Sequence, residues 1–198
     1  MGQTPIVRHR YAHDRISAIS GIAASPKRSH CTLYCQLYED YFLGQRYRLR
    51  VIEGDGANRV AVSSRSIIEL HARSHTSARQ RGEVLHQWYR RQLKALIPPL
   101  LEKWQLVMGV QVADWGIKKM KTRWGSCNRT ARRIWLNLEL AKKPMHCLEY
   151  IAVHEMVRLL ERHHSDRFRA LMDQFMPQWR SRREELNRTP LGHENWEY

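Results

Sequence analysis

The chain has 198 residues, enough for one well-buried domain with or without a small appendage. Hydrophobic residues make up 42% and charged residues 27%, the balance of a globular protein, and no run of 18 apolar residues is present to span a membrane. The net charge of +15 is high and attracts polyanions, nucleic acid first among them.

That charge is dispersed over RYRLR (46–50), RR (90–91), KKMKTR (118–123), RR (132–133) and RSRR (180–183). No base-reading motif accompanies it, so both a solvated basic surface and a nucleic-acid-binding face stay open. The first twenty residues scatter charge through any apolar stretch, so no signal peptide is expected and cytoplasm is the default location. Of the four cysteines, Cys31 and Cys35 form a CxxxC without a second half, and Cys127 and Cys147 stand apart. They read as thiols of a reducing compartment rather than as a zinc knuckle.

In chain order, residues 1–40 show little periodicity and read as an atypical N-terminal segment, poorly structured or locally folded. From Tyr41 the pattern changes. Tyr47, Leu49 and Val51 alternate with arginines, GDG (54–56) marks a turn, and Val60/Val62 and Ile67/Ile68/Leu70 follow, so a small antiparallel β-meander is predicted. A long helix opens with Thr76 or Ser77 as cap, with Leu85, Trp88, Tyr89, Leu93, Leu96 and Ile97 at helical spacing. Pro98 and Pro99 are expected to kink or interrupt it before Leu100, Leu101, Trp104 and Met108 resume the apolar face. Val110–Lys121 and Arg133–Leu138 read as strands of a hairpin around WGSCNRTA, with Ile134, Leu136 and Leu138 on one face and Trp135, Asn137 and Glu139 on the other.

Pro144 suits the first position of the next helix. There Met145, Leu148, Ala152, Met156 and Leu159 form the core-facing stripe, while Cys147, Ile151, His154 and Arg158 project from another side. Ser165 caps a last helix carrying Phe168, Leu171, Met172, Phe175 and Trp179. The fold class is therefore α+β, with residues 41–198 as its main domain.

The chemistry concentrates in YIAVHEMVRLLERHHSDRF. Positions 154 and 158 lie one helical turn apart and point the same way, the spacing by which two histidines share one zinc. Glu155 points into the same cleft, where a carboxylate can take a proton from metal-bound water. His164, ten residues after His154, is a third-ligand position reached once the helix ends. Zinc held by three protein ligands keeps a fourth position open for water and lowers its pKa to about 7.

KTRWGSC (121–127), IWLNLEL (134–140), PMHCLEYIAVHE (144–155), HSDRF (164–168) and MPQW (176–179) together resemble the YgjP-like metal-dependent hydrolases, relatives of the SprT-like and WLM zinc metallopeptidases. The resemblance runs from about Tyr41 to the C-terminus and implies a zincin-like metallopeptidase domain. It makes His154 and His164 metal ligands, Glu155 the general base, zinc the cofactor, and a peptide or nucleotide-like molecule the substrate. The WGSC strand would form the upper edge of the cleft, where a peptide pairs with backbone.

One departure is decisive for the chemistry. The second histidine of HExxH is Arg158 here, and a guanidinium has no lone pair to give a metal. Arg158 either forms a salt bridge with Glu155 or Glu161 that closes the old cleft, or leaves a weakened metal site of His154 and His164 with His163 as stand-in. Three functions follow: a zinc-dependent metallopeptidase-like hydrolase with impaired activity, a non-catalytic basic protein that binds nucleic acid or another polyanion, or a decayed member of the family.

Overall fold

The computed structural model describes residues 37–188, all within one compact unit, Thr32–Tyr198. The Cys31/Cys35 pair and nearly all of the segment set apart as 1–40 lie outside the described residues.

The first sheet is built from β1 (Leu37–Phe42), β2 (Gln45–Gly54), β3 (Arg59–Ser64) and β4 (Ile67–Arg73), in the order β1-β2-β4-β3. The three strands expected from alternation are present, with β1 added ahead of them. The expected meander is not: β2 and β4 run parallel, with Leu49 opposite Ile68 and Val51 opposite Leu70. Burial explains the order. β2 buries Tyr47, Leu49 and Val51, and β4 buries Ile68, Leu70 and Ala72, whereas β3 buries only Val60. The two most apolar strands take the centre and the polar β3 takes an edge, where Val62 is exposed.

A two-residue turn joins β1 to β2. Leu43 and Gly44 both have positive φ (49° and 81°), the mirror-image turn whose twist matches the flanking strands. Its amides reach across to the second half of the fold, Leu43 donating to Ala141 O (2.9 Å) and Gly44 to Lys142 O (3.1 Å). A Cβ on Gly44 would lie 2.6 Å from Pro144 Cγ, so the turn is seated against the start of the site-bearing helix.

Helix α1 (Ala78–Met108) begins in a capping box, with the Ser77 hydroxyl accepting from Gln80 N and the Gln80 side chain accepting from Ser77 N. It runs through Pro98 and Pro99 as one helix, so of the kink or interruption expected there the interruption does not occur. The acceptors these prolines cannot serve are the carbonyls of Lys94 and Ala95, four residues back. Both residues are exposed, so water is at hand for them.

The second sheet holds β5 (Asp114–Lys118), β6 (Gly125–Asn128) and β7 (Arg133–Asn137), in the order β5-β7-β6. β7 is the strand expected from Arg133, but its hairpin partner is β6, which lies inside the stretch expected to be only the loop, and β5, from the stretch expected to be that partner, pairs with β7 in parallel. Ile134, Leu136 and Leu138 are buried as predicted, but Asn137, placed on the opposite face, is fully buried as well. Its Nδ2 donates to Met120 O (2.8 Å) and Arg123 O (2.7 Å), and its Oδ1 accepts from Met120 N and Glu139 N. Asn137 thereby holds the 119–124 crossover that carries the chain from β5 to β6.

A short 3-10 helix (Leu138–Lys142) leads to α2 (Met145–Leu160), with Pro144 at the cap rather than the first helical position. α2 is buried on almost every side: Cys147 and Ile151, assigned to a separate face, are as buried as Leu148, Ala152 and Met156. Ser165 caps α3 (Asp166–Phe175), accepting from Phe168 N as predicted. Trp179 belongs instead to a further helix, α4 (Trp179–Arg188). Pro177 accounts for the break, because the residue before a proline is pushed out of helical conformation, and Met176 has φ −142° and ψ 75°. The architecture is α+β, with two small mixed sheets and with α1, α3 and α4 packed against α2.

Candidate active site

α2 and the turn after it bring the predicted residues together. His154 sits in the last two turns of α2, and His164 comes from the connection to α3. Their Nε2 atoms are 3.1 Å apart. Phe168, the first buried residue of α3, meets both rings edge-on, with centroids 5.0 Å from His154 and 4.8 Å from His164. The Ser165 cap that starts α3 thus also fixes where His164 stands.

Glu155 is 3% exposed and lies beneath β6. A Cβ on Gly125 would meet its Cγ and Oε1 at 2.8 Å and Ile151 Cγ2 at 3.0 Å, so only glycine lets the strand approach the carboxylate this closely. Arg158 Nη1 donates to Glu155 Oε2 at 3.3 Å. Of the two partners open to Arg158 from the sequence, Glu155 is taken. Glu161 lies beyond the helix end with extended backbone (φ −133°) and accepts from His163 N instead. His163 is exposed, the position of a solvated histidine.

Burial drives the ionisation of these groups. It lowers the His154 pKa to about 3, helped by His164, Arg158 and Arg183, so the imidazole is neutral at physiological pH. His164 is lowered in the same way, by burial and then by Arg158. Burial raises Glu155 to about 7 against the opposing pull of Arg158 and Arg123.

Two neutral imidazoles 3.1 Å apart suit two ligands of one zinc, since bonds of about 2.0–2.1 Å in tetrahedral geometry separate nitrogens by roughly 3.3 Å. The rest of the donor set does not fit. The third position is a guanidinium, and no other His, Cys, Asp or Glu completes a three-donor group here among the described residues. His154 Nδ1 is buried without a hydrogen-bond partner among them, whereas a zinc-bound histidine gives its second nitrogen to an oxygen.

The site thus holds an HE pair on a buried helix, a histidine returning after the helix end and a strand laid over the glutamate. A family profile described as YgjP-like, metallopeptidase domain, matches residues 18–189, and the chain belongs to that family. The match begins upstream of Tyr41, where the motif resemblance starts. The family implies a metal and peptide substrates. Among solved structures, the chain is similar to the metallopeptidase zymogen of Pyrococcus abyssi abylysin. That likeness has 22% identity over 46% of this chain and 88% of that one, with a TM-score of 0.40. No curated protein matches the chain. Among the described residues no helix is long and apolar enough to cross a membrane.

Sequence reasoning missed Asn137 as the residue that positions the wall of this site. The signal was available: a single amide side chain inside the apolar run IWLNLEL needs hydrogen-bond partners if it is buried.

Proposed function

We propose that this chain is a zinc-metallopeptidase-like hydrolase by descent whose turnover is suppressed by Arg158, with His154 and His164 as two remaining metal ligands and Glu155 as the former general base. The observation that carries the reading is the contact of Arg158 with Glu155. A general base needs a free lone pair facing its water. Here the guanidinium engages one oxygen of that carboxylate, Oε2, and Arg158 stands at the sequence position of the missing ligand. Peptide remains the substrate class the scaffold fits, through the edge strand β6 beside α2.

The test compares wild type with Arg158→His by elemental analysis and by hydrolysis of an unstructured protein such as casein. The reading expects the variant to carry one more zinc per chain than the wild type and to gain chelator-sensitive hydrolysis. A wild type that already hydrolyses casein, and loses this in Glu155→Gln, overturns it.

A second reading, binding of a polyanion such as nucleic acid, has its own supporting observation. A cavity of about 470 Å³ beside the start of α1 is lined by Arg73, Arg79 and Arg91, none of which forms an ion pair with a carboxylate of the described residues. Binding of a single-stranded oligonucleotide that weakens steeply with salt, and weakens further in Arg73→Ala/Arg91→Ala, supports it. Identical binding by wild type and that double variant counts against this cavity as the contact surface.

A further inference from the structure

Away from His154 and His164, the opposite end of α2 gathers a second set of donors. His146 and Cys147 occupy its first turn, and Glu185 reaches them from α4. One imidazole nitrogen, the Cys147 sulfur and one carboxylate oxygen all lie within 4.8 Å of one another. His146 Nε2 and Glu185 Oε2 are 2.6 Å apart.

We propose that His146, Cys147 and Glu185 form a binding site for a divalent cation of zinc type, which clips α4 to the start of α2. The chemistry of the donors selects the ion. Imidazole, thiolate and carboxylate together are a zinc or cobalt set, whereas magnesium and calcium take oxygen ligands. The burial of the three grades from inside to outside: Cys147 is fully buried, His146 is half-buried and Glu185 is exposed. The sulfur forms the floor, the imidazole and carboxylate form the rim, and a fourth position opens to solvent.

The movement needed is small. Bonds of about 2.0–2.3 Å in tetrahedral geometry put donor atoms roughly 3.3–3.6 Å apart. The His146–Glu185 contact must therefore open by about 0.7 Å, and the widest separation must close by a little over 1 Å, from distances of 2.6 Å and at most 4.8 Å. Both rim side chains are accessible enough to make that shift. With thiolate and carboxylate charges against the dication, the site is neutral when filled, and Lys143 and Arg182 stand nearby without being donors. The metal has to displace the proton of a thiol that burial holds up at about 11. The stabilisation is local, because the Leu186 side chain already seats α4 in the core.

Cobalt(II) titration of the full chain under reducing conditions is the test, because thiolate ligation gives an intense near-ultraviolet charge-transfer band that histidine ligation does not. One equivalent of cobalt is expected to produce the band and to raise the melting temperature. Glu185→Gln and His146→Gln, both at accessible positions that leave the core intact, are expected to weaken cobalt binding by more than about tenfold. His154→Ala/His164→Ala is expected to keep the band, which separates this site from the His154–His164 pair. Absence of the band in wild type, its survival in Cys147→Ser, or equal affinity in Glu185→Gln and wild type each overturns the proposal.

Discussion

Replacing Gly125 with alanine probes whether β6 lies on Glu155 as described. An added Cβ would stand 2.8 Å from Glu155 Cγ and Oε1 and 3.0 Å from Ile151 Cγ2. Ordinary carbon contacts are about 3.5–4.0 Å, so the neighbours must yield by roughly 0.7 Å. Neither has room: Glu155 is held by Arg158, and Ile151 is buried in the core. Overpacking of this kind costs about 1–3 kcal/mol, which for a domain of this size lowers the melting temperature by roughly 2–12 °C. Gly82→Ala is the control, because its Cβ meets nothing within 4 Å, and alanine in a helix is favoured over glycine by about 1 kcal/mol. The sharper measurement is a double-mutant cycle by urea denaturation. Glu155→Ala removes two of the three clashing atoms, so Gly125→Ala should cost at least about 1 kcal/mol less in its presence. Additivity within about 0.5 kcal/mol would refute the placement of the strand over the carboxylate.

Asn137→Ala strips three hydrogen bonds from the crossover that leads into β6, and a fourth from Glu139 N. A loss of roughly 2–5 kcal/mol in urea denaturation is expected, with the Trp124 fluorescence changing before global unfolding; a loss below about 0.5 kcal/mol would contradict the anchoring role. Glu149 supplies a pH dependence. Burial raises its pKa, but Lys103 and Arg182 outweigh that and hold the folded value below the ordinary carboxylate range. The folded state then binds fewer protons than the unfolded state, so this stabilisation is complete above the ordinary value of about 4.3 and is lost as pH falls through the folded one. The stability gap between wild type and Glu149→Gln should accordingly be widest near neutrality and shrink in acid. A gap that stays constant down to pH 3 would remove Glu149 from the account.

Much of the site was legible because it is local. His154 and Glu155 are placed by helical spacing, His164 by the Ser165 cap that follows it, and all three lie within eleven residues. Arg158 could be recognised as a lost ligand from the motif alone, yet its partner could not be chosen. Glu155 and Glu161 are each three residues away, and only the end of α2 at Leu160 decides between them. The strands were legible from alternation, but their pairing was not. Alternation marks which face of β2 and β4 is buried and says nothing about direction, so a parallel pair looked like a meander. The His146–Cys147–Glu185 group was out of reach for the same reason: two donors come from α2 and the third from α4, 38 residues further on.

The order of the first sheet also prescribes how it is put together. β1 with β2, and β3 with β4, are each joined by two residues, so either half can close on itself from neighbouring chain alone. The parallel seam between β2 and β4 is different, since it welds two finished ribbons and gains nothing until both exist. Leu43 and Gly44 tie the first ribbon to Ala141 and Lys142, so undoing that seam would also pull on the threshold of the helix that bears His154.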